Sequence, residues 1–222
     1  MNIQTHDVDA ALTSVGRRFP SATTIELDYH AAKRLDACLV ALPDNSWPAV
    51  EVISVVMQYK GDPCCYLSAS TATQVVRLCP RLREVSCEAS GAAGLAAALE
   101  GLAPVAGPLE AASLKITGEV EPSAMPRAVE ALRRLDGLRQ LKVDWDREPG
   151  AAALLGPALQ ELTSLSSLEV AGGAWWEAAQ PPQPLDLQPG PLRELGLDCR
   201  GHLNALRAFP CLGGVTELKL VG

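Results

Sequence analysis

A short aliphatic pattern recurs along the chain at nearly even intervals, and this recurrence limits the possible folds more than any other feature. The pattern is an aliphatic residue, two variable positions, an aliphatic, one variable position and a further aliphatic. Its central aliphatic is read at Ile25, Ile53, Val85, Leu114, Leu141, Leu168, Leu195 and Leu218. Successive spacings are 28, 32, 29, 27, 27, 27 and 23 residues. A unit of this length holds one supersecondary element, which cannot close a core alone, so the copies must stack into a solenoid.

The interior of each unit agrees with this. The pairs Ile25/Leu27, Ile53/Val55, Val85/Cys87, Leu114/Ile116, Leu141/Val143, Leu168/Val170, Leu195/Leu197 and Leu218/Leu220 alternate with mostly polar neighbours. That is the period of a strand with one buried face. Helical spacing precedes most strands, at Val8 to Phe19, Ala32 to Leu42, Thr71 to Leu78, Ala92 to Leu102, Arg127 to Leu135, Ala151 to Leu162 and His202 to Phe209. Leu95, Leu99 and Leu102 form one apolar stripe at i, i+4 and i+7, and Leu132 and Leu135 form another with Val129 and Leu138 nearby. The expected fold class is α/β. About eight strand–helix repeats form a horseshoe, with a parallel sheet on the concave side and helices on the convex side. Residues 1–222 form one repeat domain with irregular insertions at about 57–71 and 171–191. Five prolines between 181 and 191 preclude a normal helix in the second of these.

The units LCPRLREVSCEASG (78–91), LDGLRQLKVDWD (135–146), LTSLSSLEVAGG (162–173) and GPLRELGLDCRG (190–201) make the chain resemble the leucine-rich-repeat family over essentially its whole length. Cys79-Pro80 ahead of Leu82 is similar to the cysteine-containing subclass of intracellular repeat proteins. One departure stands out. The Asn or Cys that the family places three residues after the second strand aliphatic is replaced by His30, Gln58, Ser90, Glu119, Asp146, Gly173 and Arg200. The resemblance therefore implies irregular repeats of variable curvature. It also implies a protein-binding module, with the substrate-recognition part of a ubiquitin ligase as an alternative.

Charge and cysteine content narrow the setting. A net charge of −7 argues against nucleic acid and anionic membranes, both of which call for basic surfaces. No apolar run reaches the length of a membrane-spanning helix, and the start of the chain does not read as a signal peptide. Seven scattered cysteines and no Asn-x-Ser/Thr site point to a reducing, cytoplasmic location. At the carboxyl end the sequence stops directly after a strand, so an open sheet edge is expected there, capped by further chain or by a partner.

Strand positions that alternate with the buried ones should face the concave groove. The charged residues among them are Glu26, Asp28, Glu84, Glu88, Lys115, Lys142, Asp144, Glu169, Glu194, Asp198, Glu217 and Lys219, nine acids against three bases. All of these except Lys219 are taken as a candidate partner-binding surface for a basic protein. Trp145, Trp175 and Trp176 are candidate interface aromatics.

Catalytic and metal roles find little support. Cys64-Cys65 lacks a second ligand pair at zinc spacing, and His6, His30 and His202 fall in separate repeats. No phosphate loop, dinucleotide fingerprint or nucleophile triad is present. The expectation is a non-catalytic interaction or scaffold subunit of a larger intracellular assembly, without cofactor or metal.

Overall fold

A computed structural model describes residues 2–3, 8–27, 39–55, 68–105, 108–117, 123–145, 162–171, 192–198 and 214–221. Its strands are β1 (Asn2–Ile3), β2 (Thr24–Leu27), β3 (Val52–Val55), β4 (Glu84–Ser90), β5 (Ala111–Thr117), β6 (Gln140–Trp145), β7 (Ser167–Ala171), β8 (Glu194–Asp198) and β9 (Glu217–Val221). The helices are α1 (Val8–Arg18), α2 (Ala69–Leu78), α3 (Gly91–Leu102) and α4 (Met125–Arg133). All nine strands are parallel and lie side by side in chain order in a single sheet. Helix α2 packs on α3 and α3 on α4, while α3 also covers β4 and β5. The chain is thus an α/β solenoid. The expected repeat strands are all present, joined by the two-residue β1 that the periodicity did not reveal.

Two inward rows of side chains run across the sheet and form the core. One contains Ile25, Ile53, Val85, Ala112, Leu141, Leu168 and Leu195, all buried. The second contains Leu27, Val55, Cys87, Leu114, Val143, Val170 and Leu197, also buried. Burying an aliphatic side chain of this size contributes about 1.5–3 kcal/mol. Each unit therefore draws its stability from the neighbours that cover it.

Register corrects the sequence reading in one repeat. Spacing set Leu114 in line with Val85 and Leu141, but Ala112 holds that place and Leu114 stands between Cys87 and Val143. Val85 to Ala112 is 27 residues and Ala112 to Leu141 is 29, so the three consecutive equal spacings do not hold. β5 sends three side chains inward, Ala112, Leu114 and Ile116, all buried. A pattern with two strand aliphatics fits such a strand in either of two positions. The offset is two residues, so every side chain keeps its face. The bend position that sequence assigned to Glu119 moves to Thr117, which pairs with Ser90. Gly91 follows Ser90 with φ 60, a left-handed conformation that suits glycine and turns β4 directly into α3.

Backbone hydrogen bonds set the rise from one unit to the next. The carbonyl of Glu51 accepts from the N–H groups of both Arg83 and Glu84, at 2.8 and 3.0 Å. The carbonyls of Thr23, Arg83, Glu110, Arg139, Ser166 and Arg193 repeat this double acceptance toward the following unit. Just ahead of β2, β3, β4, β6 and β7 an i→i+3 bond closes a tight turn, as in Leu82 N–H to Cys79 O at 3.1 Å and Leu138 N–H to Leu135 O at 3.1 Å. Trp47 fills the equivalent place before β3 and is 1% exposed.

Between this turn and α2 the neighbouring units clamp each other. The N–H groups of Asn45 and Trp47 donate to the carbonyls of Arg77 and Leu78, which end α2 without helical partners. In return the Arg77 guanidinium donates to the carbonyls of Leu39 and Leu42 and to Asp44, at 2.6–2.7 Å. At the far end of the sheet Leu218 and Leu220 continue the two inward rows but are 45% and 47% exposed.

The expected helix at His202 to Phe209, all but the last residue of that at Ala151 to Leu162, most of that at Ala32 to Leu42, most of the insertion at 57–71 and nearly all of that at 171–191 lie outside the described residues. α4 begins at Met125 with Pro126 in its first turn, and Leu135 and Leu138 of the expected stripe are buried beyond its end.

The contact of α2 with α3 depends on a glycine. A Cβ at Gly101 would lie 2.5 Å from Ala72 Cβ and 2.6 Å from Ala69 O. Alanine at this helical position gains about 1 kcal/mol of propensity, but overpacking of a fitted contact costs about 1–3 kcal/mol. Gly101→Ala is expected to lower the urea midpoint of unfolding, and a raised midpoint would contradict the close approach of the two helices.

Candidate functional site

Strand alternation places three rows of side chains on the face away from the helices. The first contains Glu84, Ala111, Gln140, Ser167, Glu194 and Glu217 in register. The central row runs Glu26, Ser54, Ser86, Ser113, Lys142, Glu169, Gly196 and Lys219. The third brings Glu88, Lys115, Asp144 and Ala171 together. A shallow hollow of about 420 Å³ lies over the middle of this face, lined by Ser54, Ser86, Ser113, Gln140, Lys142 and Glu169 among others.

The charged residues do not form a uniform acidic field. Lys142 Nζ pairs with Glu169 Oε1 at 2.5 Å along the central row. Gly196 makes room for that carboxylate, since a Cβ there would sit 3.0 Å from Glu169 Cγ. Lys115 Nζ lies 3.5 Å from Glu88 Oε2. Glu88 is only 7% exposed, so its charge is met by Lys115 and not displayed to solvent. Glu84, Glu194 and Glu217 are exposed and Asp144 is half-buried, and none of the four forms an ion pair with another described residue. Glu26 is half-buried at the amino-terminal side of the sheet.

Asp28, Trp175 and Trp176 lie outside the described residues, and Asp198 is described only by its backbone in β8. The backbone of Trp145 pairs with Ile116 in β5, in line with Ala89 of β4, and its side chain lies outside those described. Sequence reasoning placed Ser54, Ser86, Ser113, Gln140 and Ser167 on this face but singled out only the charges. These uncharged polar side chains line the hollow together with Glu84, Lys142 and Glu169. Alternation places them on one face, but hydroxyls are common on any exposed strand and do not by themselves mark a site.

A further charged strip edges the sheet where the strands begin. Glu51, Arg83, Glu110 and Arg139 follow one another there, with Arg83 Nη1 3.7 Å from Glu110 Oε1. Both side chains are about half exposed, so this pair contributes little, on the order of 0–1 kcal/mol.

No group of acidic, His or Cys side chains among the described residues could hold a metal ion. No helix among them is long and apolar enough to cross a membrane. Comparison with protein-family models returns no match, and neither does comparison with curated protein sequences.

Two of the cysteines are buried in the core as free thiols. Burial pushes the Cys79 thiol up to about 12. Cys87 is also raised to about 12, by burial first and by the neighbouring Glu88 charge second. Both folded values exceed the unfolded value of about 8.5. The stability that these protonated thiols contribute is therefore full below about pH 8.5 and is lost as pH rises toward 12. Iodoacetamide at pH 8 is expected to leave Cys79 and Cys87 unmodified in the folded chain and to alkylate both in urea, as read by peptide mass mapping. Rapid native alkylation of either thiol would contradict its place in the core.

Proposed function

We propose that this chain is a non-catalytic protein-binding module of the leucine-rich-repeat type, serving a larger intracellular assembly, and that its open sheet face holds a partner with a basic surface. The observation that carries this reading is the way charge is distributed on that face. Of its lysines, Lys115 and Lys142 are already engaged by Glu88 and Glu169, while Lys219 stands exposed at the β9 end of the central row. Glu84, Glu194 and Glu217 remain exposed without a cationic partner among the described residues. The outward surface thus keeps a net negative field that can steer a cationic partner and fix its orientation.

The chemistry on the face favours binding over catalysis. Its carboxylates lie on an open surface, without the water exclusion that separates the proton affinities of an acid–base pair. Buried free thiols at Cys79 and Cys87 fit a reducing compartment. A net charge of −7 disfavours nucleic acid as the partner.

The reading is tested by quantitative pull-down from native extract with wild type and with a Glu84→Lys, Asp144→Lys, Glu194→Lys variant. At the exposed Glu84 and Glu194 such substitutions usually shift stability by no more than about 0.5 kcal/mol each, and circular dichroism checks that the half-buried Asp144→Lys change leaves the fold intact. Loss of one stoichiometric basic partner is the expected result. Undiminished capture of that partner by the folded variant would overturn the acidic-face reading.

A further inference from the structure

The hollow on the open face has a particular shape and chemistry. Glu84 on β4 and Glu194 on β8 stand in the same row four strands apart. At the usual strand separation this places them about 19 Å from each other. Only Ala111, Gln140 and Ser167 stand between them in that row. Alongside runs the row of Ser86, Ser113, Lys142 and Glu169, the last two paired with each other, so the floor between the two outer carboxylates is made of small or uncharged side chains and one ion pair that cancels itself. The side chains of Ser86, Ser113 and Gln140 make no hydrogen bond to any described residue.

Such a floor suits a main chain better than a second folded surface. An α-helix has already used its N–H and C=O groups internally, whereas an extended segment still has them to offer and must find partners for them on burial. Hydroxyl and amide side chains can give and accept those bonds without a fixed sequence. An extended chain advances about 3.3 Å per residue, so a span of about 19 Å corresponds to roughly six residues. Six is an even number, so both side chains at the ends of that span leave the chain on the same side.

We propose that the open face binds an extended peptide laid across the strands, carrying two basic residues six positions apart with small residues between them. The basic pair meets Glu84 and Glu194, while the intervening main chain lies over Ser86, Ser113 and Gln140. This rests on the reading of the face as a site for a basic partner and adds the partner's conformation and spacing.

The test uses fluorescein-labelled serine–glycine peptides with two arginines three, six or nine residues apart, titrated against the full chain at low ionic strength and followed by anisotropy. An alanine-rich helical peptide with arginines at the same end-to-end distance serves as the control. The six-residue spacing is expected to bind about threefold to fivefold more tightly than the others, the effect of one additional exposed ion pair. Glu194→Gln should abolish that preference. Ser86→Leu with Ser113→Leu, which fills the hollow without changing charge, should weaken the six-residue peptide by a similar factor while circular dichroism stays unchanged.

Equal binding at all spacings, tighter binding of the helical control, or indifference to the leucine substitutions would each overturn the proposal. If binding is equal at all spacings yet lost in the Glu84→Lys, Asp144→Lys, Glu194→Lys variant, the acidic face survives and only the extended-peptide inference falls. If no peptide binds wild type, the inference also falls, and the pull-down alone decides the acidic face.

Discussion

The described structure depends on one backbone device, a carbonyl just ahead of each strand from β2 to β8 that accepts two N–H groups from the next unit. It recurs from Thr23 through Arg193 and locks each strand to its neighbour before any side chain is considered. Hydrophobic side chains then fill the space behind the sheet, and tight turns such as Cys79 to Leu82 deliver each chain segment to the same starting point. Because this ladder is made of main-chain groups, side chains on the outward face are released from structural duty. The open face can therefore hold serines, lysines and carboxylates without loss to the core.

Much of this architecture was legible in the sequence, because the strand period and the repeat length are both written in aliphatic residues. Where the reading slipped, the cause is specific. Ala112 occupies a large-aliphatic position, and Leu114 with Ile116 imitates the pattern two residues later. Leu109 would have settled the register, since it is fully buried at the place that Leu82 and Leu138 take in their own units. Trp47 was also passed over, as a residue of its size does not resemble the leucine or cysteine found at equivalent turns. The two-residue strand β1 is too short to carry any period at all.

The candidate site was legible only as a list of alternating residues. Sequence places Glu88 and Glu84 on one face as equivalents, yet one is buried against Lys115 and the other is exposed. Which lysine cancels which carboxylate depends on register, and register depends on unit lengths that vary from 23 to 32 residues. The hollow over Ser86, Ser113 and Gln140 is likewise a product of neighbouring strands and not of any single repeat. A surface defined across units is hard to foresee from a pattern defined within one.

The central claim is that a cationic partner engages the open face and not the helical side. A backbone-amide NMR titration of the isotope-labelled chain with the six-spaced arginine peptide tests this most directly. The account predicts chemical-shift changes centred on Glu84, Ser86, Ser113, Gln140 and Glu194, with α3 and α4 unaffected. Changes concentrated on α3 and α4, or on the exposed Leu218 and Leu220 of β9, would contradict it.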